Sequence, residues 1–182
     1  VPILQNGIKL TNEPPRGIKA NLLRTFLDLG DPEYSMADKE AAGSDGGKRP
    51  RAEVVAHFKR LLFGLAFYHA LVLERRKFGA IGWNINYDFA NSDLKAGRLN
   101  LRMYLAEDRG GVPFETLNSV VGDITYGGRV TDKWDKRTNL SLLARFFAPD
   151  MLADGYRFSE SGAYYSPAPA GLGELRAYIE TL

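Results

Sequence analysis

The stretch 43–49 is the nearest approach in this sequence to a phosphate-binding loop. It reads GSDGGKR, within a run of small and polar residues. A phosphate-cradling loop needs Gly, four residues and then Gly-Lys-Ser/Thr, placed between a strand and a helix. Ala42 occupies the position of the first Gly, and Arg49 occupies the position of the hydroxyl that would bind Mg²⁺. We therefore interpret this run as a solvated surface loop and not as a nucleotide site.

The two histidines, His57 and His69, do not form a metal site or an acid–base pair. They lie twelve residues apart on one predicted helix, and no HExxH pattern is present. We expect His69 to pack in the core with one hydrogen bond, rather than to act as a ligand or a base. The sequence has no Cys and no GxSxG elbow, and we interpret 159–162 (SESG) as a turn. The residues therefore predict no catalytic, cofactor-binding or metal-binding group.

The charged clusters are weak evidence for a binding partner. Residues 48–51 read KRPR and residues 74–77 read ERRK, while the formal net charge is +2. A solvated loop and the dipole at a helix end account for these clusters, so we predict no nucleic-acid and no membrane partner. Arg129 follows Gly127-Gly128, which we expect to turn with positive φ. Its guanidinium could be aimed at a neighbouring carboxylate or carbonyl, or be plainly exposed, and the sequence favours neither.

The spacing of apolar residues predicts a mainly α-helical chain of about five or six helices. The 182 residues are 45% hydrophobic and 25% charged, which is typical of one globular domain. The strongest helix covers 52–78, where two adjacent apolar faces predict packing on more than one side. The other helices are predicted after Pro15, from Asn91 to about Glu107, from Pro113 through Val121, from a Thr131 cap to Pro149, and at the C-terminus.

The segments between the helices differ in character. We predict one strand at 1–11 and a flexible loop at 31–53. Residues 79–90 (GAIGWNINYDFA) are expected to form an ordered loop with Trp83, Tyr87 and Phe89 packed, and residues 156–169 an extended segment. Because the chain starts in a predicted strand and stops in an apolar helical pattern, we expect it to be a piece of a longer polypeptide.

Three strings, in this order, carry a resemblance to a known family. They are GIKLTNEPPRGIKANLLRTF (7–26), LLFGLAFYHALVLERRKFGAIGWNINYDF (61–89) and YGGRVTDKWDKR (126–137). Together they resemble the dynein heavy chain at its sixth and last AAA+ module, the axonemal more than the cytoplasmic type, and the inner-arm more than the outer-arm type. The resemblance implies that 1–15 ends the large α/β subdomain, that 16–155 is the helical lid, and that 156–182 begins the C-terminal region.

The resemblance also implies a function for a parent protein. Dynein is an ATP-driven, minus-end-directed microtubule motor, here expected in the ciliary or flagellar axoneme, within the cytoskeleton and cytoplasm. ATP and Mg are expected at other modules and no cofactor in this chain. The implied partners are the neighbouring AAA+ modules and the C-terminal region of the same heavy chain. Light chains, intermediate chains and microtubules would be reached through the parent.

This chain would then be a non-catalytic helical module that transmits conformational change. The candidate inter-module contacts are Arg75, Arg76, Trp83, Tyr126, Arg129 and Trp134. For the two Trp residues we favour simple core packing, because large aromatic side chains are usually highly buried. The alternative function is a freestanding helical module that docks a helix or peptide in a groove.

Overall fold

The computed structural model describes residues 15–36, 52–107 and 111–182. These residues form a mainly α-helical bundle, which confirms the predicted fold class. The strand predicted at 1–11 and the loop at 43–49 lie outside the described residues. The α-helices are α1 (Ile18–Leu27), α2 (Asp31–Tyr34), α3 (Ala52–Arg75), α4 (Asn91–Ala106), α5 (Phe114–Ser119), α6 (Lys133–Leu143) and α7 (Leu172–Thr181). A π-helix (Val120–Tyr126) continues α5, and 3₁₀ turns cover Arg76–Phe78, Gly127–Arg129 and Pro149–Leu152.

The long helix α3 is the centre of the fold. It packs against α1, against α4 and against the 3₁₀ turn Pro149–Leu152. All ten residues from 61 to 70 are buried, so this part of α3 is covered on every side, as its two apolar faces predict. Gly79 ends the helical stretch with φ of 76°, a backbone conformation that glycine adopts without strain at the end of a helix. No helix in the described part of the chain is long and apolar enough to cross a membrane.

The last helix closes against the first. Arg176 of α7 donates from Nε (2.9 Å) and Nη2 (2.8 Å) to the carbonyl oxygen of Phe26, and from Nη2 to that of Leu29 (3.1 Å). Carbonyls at the end of a helix lack partners within it, so this arginine satisfies the end of α1.

An isolated antiparallel bridge between Arg157 and Tyr165 folds the segment before α7 back on itself, and the N–H of Gly162 donates to the carbonyl oxygen of Ser159 (3.0 Å) in the turn. The turn predicted at 159–162 is therefore confirmed, and it interrupts the extended course predicted for 156–169. The boundaries predicted between 1–15, 16–155 and 156–182 stay predictions.

The N-cap predicted for α6 is wrong by one residue. Asp132, and not Thr131, caps α6, because its Oδ1 accepts the N–H groups of Trp134 (2.9 Å) and Asp135 (3.0 Å). This helix ends at Leu143 and residues 144–148 turn, so it does not continue to Pro149.

At the start of α4, Asn91 is already helical and the N-cap is Ala90. The Asp93 carboxylate accepts the N–H of Ala90 (2.8 Å), which is one half of a capping box; alanine has no side-chain oxygen to make the other half.

Part of the predicted loop at 31–53 is helical. Residues 31–34 form α2, and the side chains of Tyr34 and Met36 are buried. Tyr34 packs edge-on against Phe26, with ring centroids 6.3 Å apart. These two buried side chains join this short segment to the core. The polar composition of 31–53 as a whole had favoured a loop throughout.

Candidate functional site: the loop between α3 and α4

The loop formed by residues 79–90, called the Trp83 loop below, is fixed to α6 by one buried carboxylate. Asp135 is 2% exposed. Its Oδ1 accepts the N–H of Asn84 (2.7 Å), and its Oδ2 accepts the N–H of Ile85 (3.1 Å) and the O–H of Tyr87 (3.0 Å). A buried carboxylate is tolerated when hydrogen bonds replace its lost hydration. The three donors therefore hold the loop in one conformation.

A second aspartate strengthens the same junction. Asp132, the cap of α6, accepts a hydrogen bond from Asn84 Nδ2 (2.9 Å), and its own N–H donates to Tyr87 Oη (3.1 Å). Hydrogen bonds from the Asp135 backbone and the Asn84 side chain hold the pKa of the Asp132 carboxyl below its ordinary value. The Trp83 loop and the first turn of α6 are therefore one hydrogen-bonded unit.

Arg75 and Trp83 close the inner side of the loop. The guanidinium carbon of Arg75 lies 4.3 Å from the centroid of the Trp83 ring, and Nη1 donates to the carbonyl oxygen of Ala80 (2.8 Å). Burial lowers the pKa of Arg75, and the Asp135 carboxylate opposes this shift. Trp83 packs edge-on against Tyr87 and Phe89, and all three are buried as predicted. Arg75 and Trp83 therefore both make contacts inside the domain. An inter-module contact by either residue stays a prediction.

Tyr126 is a buried anchor of the π-helix. Burial raises its pKa well above the ordinary value, so the phenol is neutral. Its hydroxyl lies 3.0 Å from Nδ1 of His69, which is also buried. Desolvation lowers the pKa of His69 to about 4, although the charge of Asp93 acts in the opposite direction. The prediction that His69 is a core residue with one hydrogen bond is therefore confirmed.

A buried amide supports the widened turns of the π-helix. Tyr68 donates its hydroxyl to Asn139 Oδ1, and Asn139 Nδ2 donates to the carbonyl oxygen of Gly122 (2.9 Å). The rings of Tyr68 and Tyr126 meet edge-on with centroids 4.9 Å apart. Side chains from α3 and α6 thus pair with groups that the irregular helix presents to the core.

Arg129 makes the carboxylate contact that was one of its two predicted alternatives. Its Nε donates to Asp93 Oδ2 (2.6 Å), and this hydrogen bond raises the pKa of Arg129. The positive φ predicted for the preceding glycines is wrong, because Gly127 has φ of −65°. Glycine is needed there for space, since a Cβ would lie 2.5 Å from the carbonyl oxygen of Gly122.

Exposed apolar side chains border the fixed loop. We call them the apolar rim: Phe78 (66% exposed) precedes the loop, Ile81 (58%) and Ile85 (45%) lie in it, and Trp134 (66%) adjoins its anchor Asp135. The preference for core packing is therefore wrong for Trp134. Ile81 has φ of 21°, a backbone conformation that β-branched residues rarely adopt.

The candidate Arg76 and a second arginine, Arg137, lie near this rim. Arg76 pairs with Asp88 through Nε and Oδ1 at 2.9 Å, and both side chains are more than half exposed. The guanidinium of Arg137 lies 5.2 Å from the centroid of the Trp134 ring. Within the described residues, no group of three or more His, Cys, Asp or Glu side chains could hold a metal ion. The surface around the rim therefore presents large apolar side chains beside exposed cations.

Sequence reasoning missed Asp135 and the three apolar rim residues of the loop region. Asp135 stands in an alternating run of charges, and its partners lie 48–51 residues away in the chain. Phe78, Ile81 and Ile85 could have been noticed as large apolar residues without helical period in a Gly-containing loop.

The bundle belongs to the class of helical AAA lid domains. The family model described as "Dynein heavy chain AAA lid domain" matches residues 58–182. This chain belongs to that dynein heavy chain family. The resemblance to dynein is thereby confirmed, while the assignment to the sixth module and to the inner-arm type stays a prediction.

Curated relatives match over the whole chain. It is 41% identical over 182 residues to human "Dynein axonemal heavy chain 6" and 42% identical over 184 residues to mouse "Dynein axonemal heavy chain 3". It is 41% identical over 187 residues to rat "Dynein axonemal heavy chain 12". Each alignment covers 100% of this chain, but the chain spans only 4%, 4% and 6% of these relatives, respectively. The axonemal character of the resemblance is confirmed.

Proposed function

We propose that this chain is a non-catalytic helical lid within a longer dynein heavy chain, where it transmits conformational change by packing against neighbouring modules. The parent would be an ATP-driven, minus-end-directed microtubule motor of the ciliary or flagellar axoneme. Other modules would bind ATP and Mg, and light chains, intermediate chains and microtubules would be partners of the parent. The names of the relatives and the small share of their length that this chain spans support this proposal.

The observation that carries the proposal is the apolar rim on the fixed Trp83 loop. A surface can pass on a rigid-body movement only if it does not yield, and the hydrogen bonds of Asp135 make this loop stiff. Four large apolar side chains border it, one of them in a strained conformation. Such features are typical of surfaces that contact a partner. If the contacts between the rim and a neighbouring module differ between nucleotide states, those contacts would shift the equilibrium between the conformations of that module.

The test is binding of the flanking segments of the parent heavy chain to this chain and to three variants. Trp134→Ser and Ile81→Ser shorten rim residues, and Leu27→Ser is the matched control. Leu27 is also largely exposed (63%), but it is the last residue of α1. The other end of α1 is the end near the rim, because the N–H of Gly17, which precedes α1, donates to Glu74 near the end of α3. We expect the dissociation constant to rise at least about tenfold for Trp134→Ser. It should change little for Leu27→Ser.

Two results would contradict the proposal. Equal losses for the rim and control variants would show that the rim is not the contact surface. Equal binding of unrelated helical peptides would favour the freestanding docking module instead.

A thermal melt with Mg-ATP and Mg-ADP tests the non-catalytic part of the proposal. A nucleotide at 100 times its Kd would add about 2.7 kcal/mol to stability. For a chain of this size, that would raise the midpoint by roughly 5–11 °C. We expect no shift, and a shift of several degrees would assign a nucleotide site to this chain.

A further inference from the structure

The start of α6, beside the apolar rim, carries a concentration of positive charge. Lys133, Lys136 and Arg137 are all exposed in the first two turns of this helix. None of them forms an ion pair with a described residue. The whole chain has a formal net charge of only +2, so three unpaired cations this close together give the surface a local excess of positive charge.

Three aspartates next to this surface already have partners. Asp132 and Asp135 accept hydrogen bonds from the Trp83 loop and from the start of α6. Asp88 pairs with Arg76, with 2.9 Å between Oδ1 and Nε. These carboxylates are therefore not available as partners for the cations of α6.

Arg137 and Trp134 form the most specific part of this surface. The Trp134 ring is 66% exposed, and the guanidinium carbon of Arg137 lies 5.2 Å from its centroid. This contact orients the planar guanidinium, and its N–H groups have no acceptor among the described residues. A protein surface that covers Trp134 must therefore also take water away from Arg137. Burying an unpaired charge is costly, whereas a carboxylate could accept two parallel hydrogen bonds from this group.

We propose that the surface which packs against the apolar rim is acidic, with one carboxylate paired to Arg137 and apolar side chains covering Trp134. The occupant is a segment of the same heavy chain outside this sequence. Charge complementarity and the small share of the relatives that this chain spans support this assignment. The inference rests on the proposed function, because it gives the chemistry of the surface that the rim contacts. A neutral or basic surface would cover Arg137 without a counter-charge, so the cations also select against such neighbours.

The test measures binding of the flanking segments of the parent heavy chain to this chain and to two variants at one position. Arg137→Gln removes the charge and should raise the Kd about tenfold. Arg137→Glu reverses the charge and should raise the Kd by about a further tenfold, because like charges across an interface repel each other. Arg137 is exposed, so neither change should move the midpoint of thermal unfolding.

Arg157 provides the matched control. It is exposed in the segment before α7, and the carbonyl oxygen of its bridge partner Tyr165 accepts a hydrogen bond from Tyr178 of α7. Helix α7 closes against the end of α1 that lies away from the rim. Arg157→Gln and Arg157→Glu make the same two charge changes there, and each should leave the Kd within about twofold of the unaltered value.

Three outcomes would overturn the inference. An unchanged Kd in both Arg137 variants would mean that no carboxylate faces this side chain. Tighter binding by Arg137→Glu than by Arg137→Gln would mean that the partner surface is basic. Equal losses for the Arg137 and Arg157 variants would mean a general attraction between net charges. If Trp134→Ser still weakens binding in these cases, the proposed function stands and only this inference fails; if Trp134→Ser binds like the unaltered chain, the proposed function itself fails.

Discussion

Replacing Asp135 with Asn should be among the most damaging conservative changes in this chain. The asparagine keeps one oxygen for the N–H of Asn84 but turns an NH₂ group toward the donors of Ile85 and Tyr87. Hydrogen bonds to a charged group contribute about 1.5–3 kcal/mol, and a buried donor without an acceptor costs about 1–3 kcal/mol. The buried Arg75 also loses a nearby negative charge. We expect a loss of about 3 kcal/mol in the free energy of unfolding.

Thermal and urea unfolding of the chain would measure this loss. A change of about 3 kcal/mol should lower the midpoint by roughly 6–12 °C for a chain of this size. Asp123→Asn is the matched control, because Asp123 is exposed on the π-helix and its replacement should change stability by less than about 0.5 kcal/mol. Tyr87→Phe removes one of the three donors to this carboxylate and should cost about 2 kcal/mol. A loss below 1 kcal/mol for Asp135→Asn would refute the view that this carboxylate fixes the loop.

Three further outcomes follow from the geometry. The pKa of His69 is lowered to about 4, so the unfolded chain binds a proton first as pH falls below about 6.5. The contribution of His69 to the free energy of unfolding is therefore largest above that pH and should fall by about 2 kcal/mol between pH 7 and 5. Urea titrations at the two pH values should show a smaller fall for His69→Gln than for the unaltered chain. Gly127→Ala should cost about 2 kcal/mol by the same assay, because its Cβ meets a backbone oxygen at 2.5 Å. Trp134→Ser should change stability by less than about 0.5 kcal/mol, since this side chain is largely exposed; a larger loss would mean that it packs inside the domain.

The regular helices could be predicted because their signals are local. The apolar spacing of 52–78 places α3, and the aromatic composition of 79–90 predicts that Trp83, Tyr87 and Phe89 are packed. The same reasoning could not find the π-helix. Its widened turns depend on the hydroxyl of Tyr126 meeting His69 and on Asn139 reaching Gly122, contacts across 57 and 17 residues of chain. No periodicity in Val120–Tyr126 records such partners.

The candidate site shows the same division between local and long-range signals. Arg75 and Trp83 were singled out from their types, but the cation–π contact that explains both depends on the loop folding back over α3. Tryptophan side chains are usually buried in the core, and this tendency predicts the burial of Trp83 correctly but that of Trp134 incorrectly. Trp134 follows the Asp132 cap in the first turn of α6, and its position there leaves it in solvent.

The most direct test of the central claim is microtubule gliding by the complete heavy chain with both Trp134→Ser and Ile81→Ser, compared with Leu27→Ser. The double variant is expected to hydrolyse ATP still, since the nucleotide sites are proposed for other modules, but to move microtubules more slowly per ATP hydrolysed. The Leu27→Ser motor should glide like the unaltered one. Unchanged gliding in the double variant, with the protein folded and its ATPase intact, would contradict the claim that this lid transmits conformational change through the apolar rim.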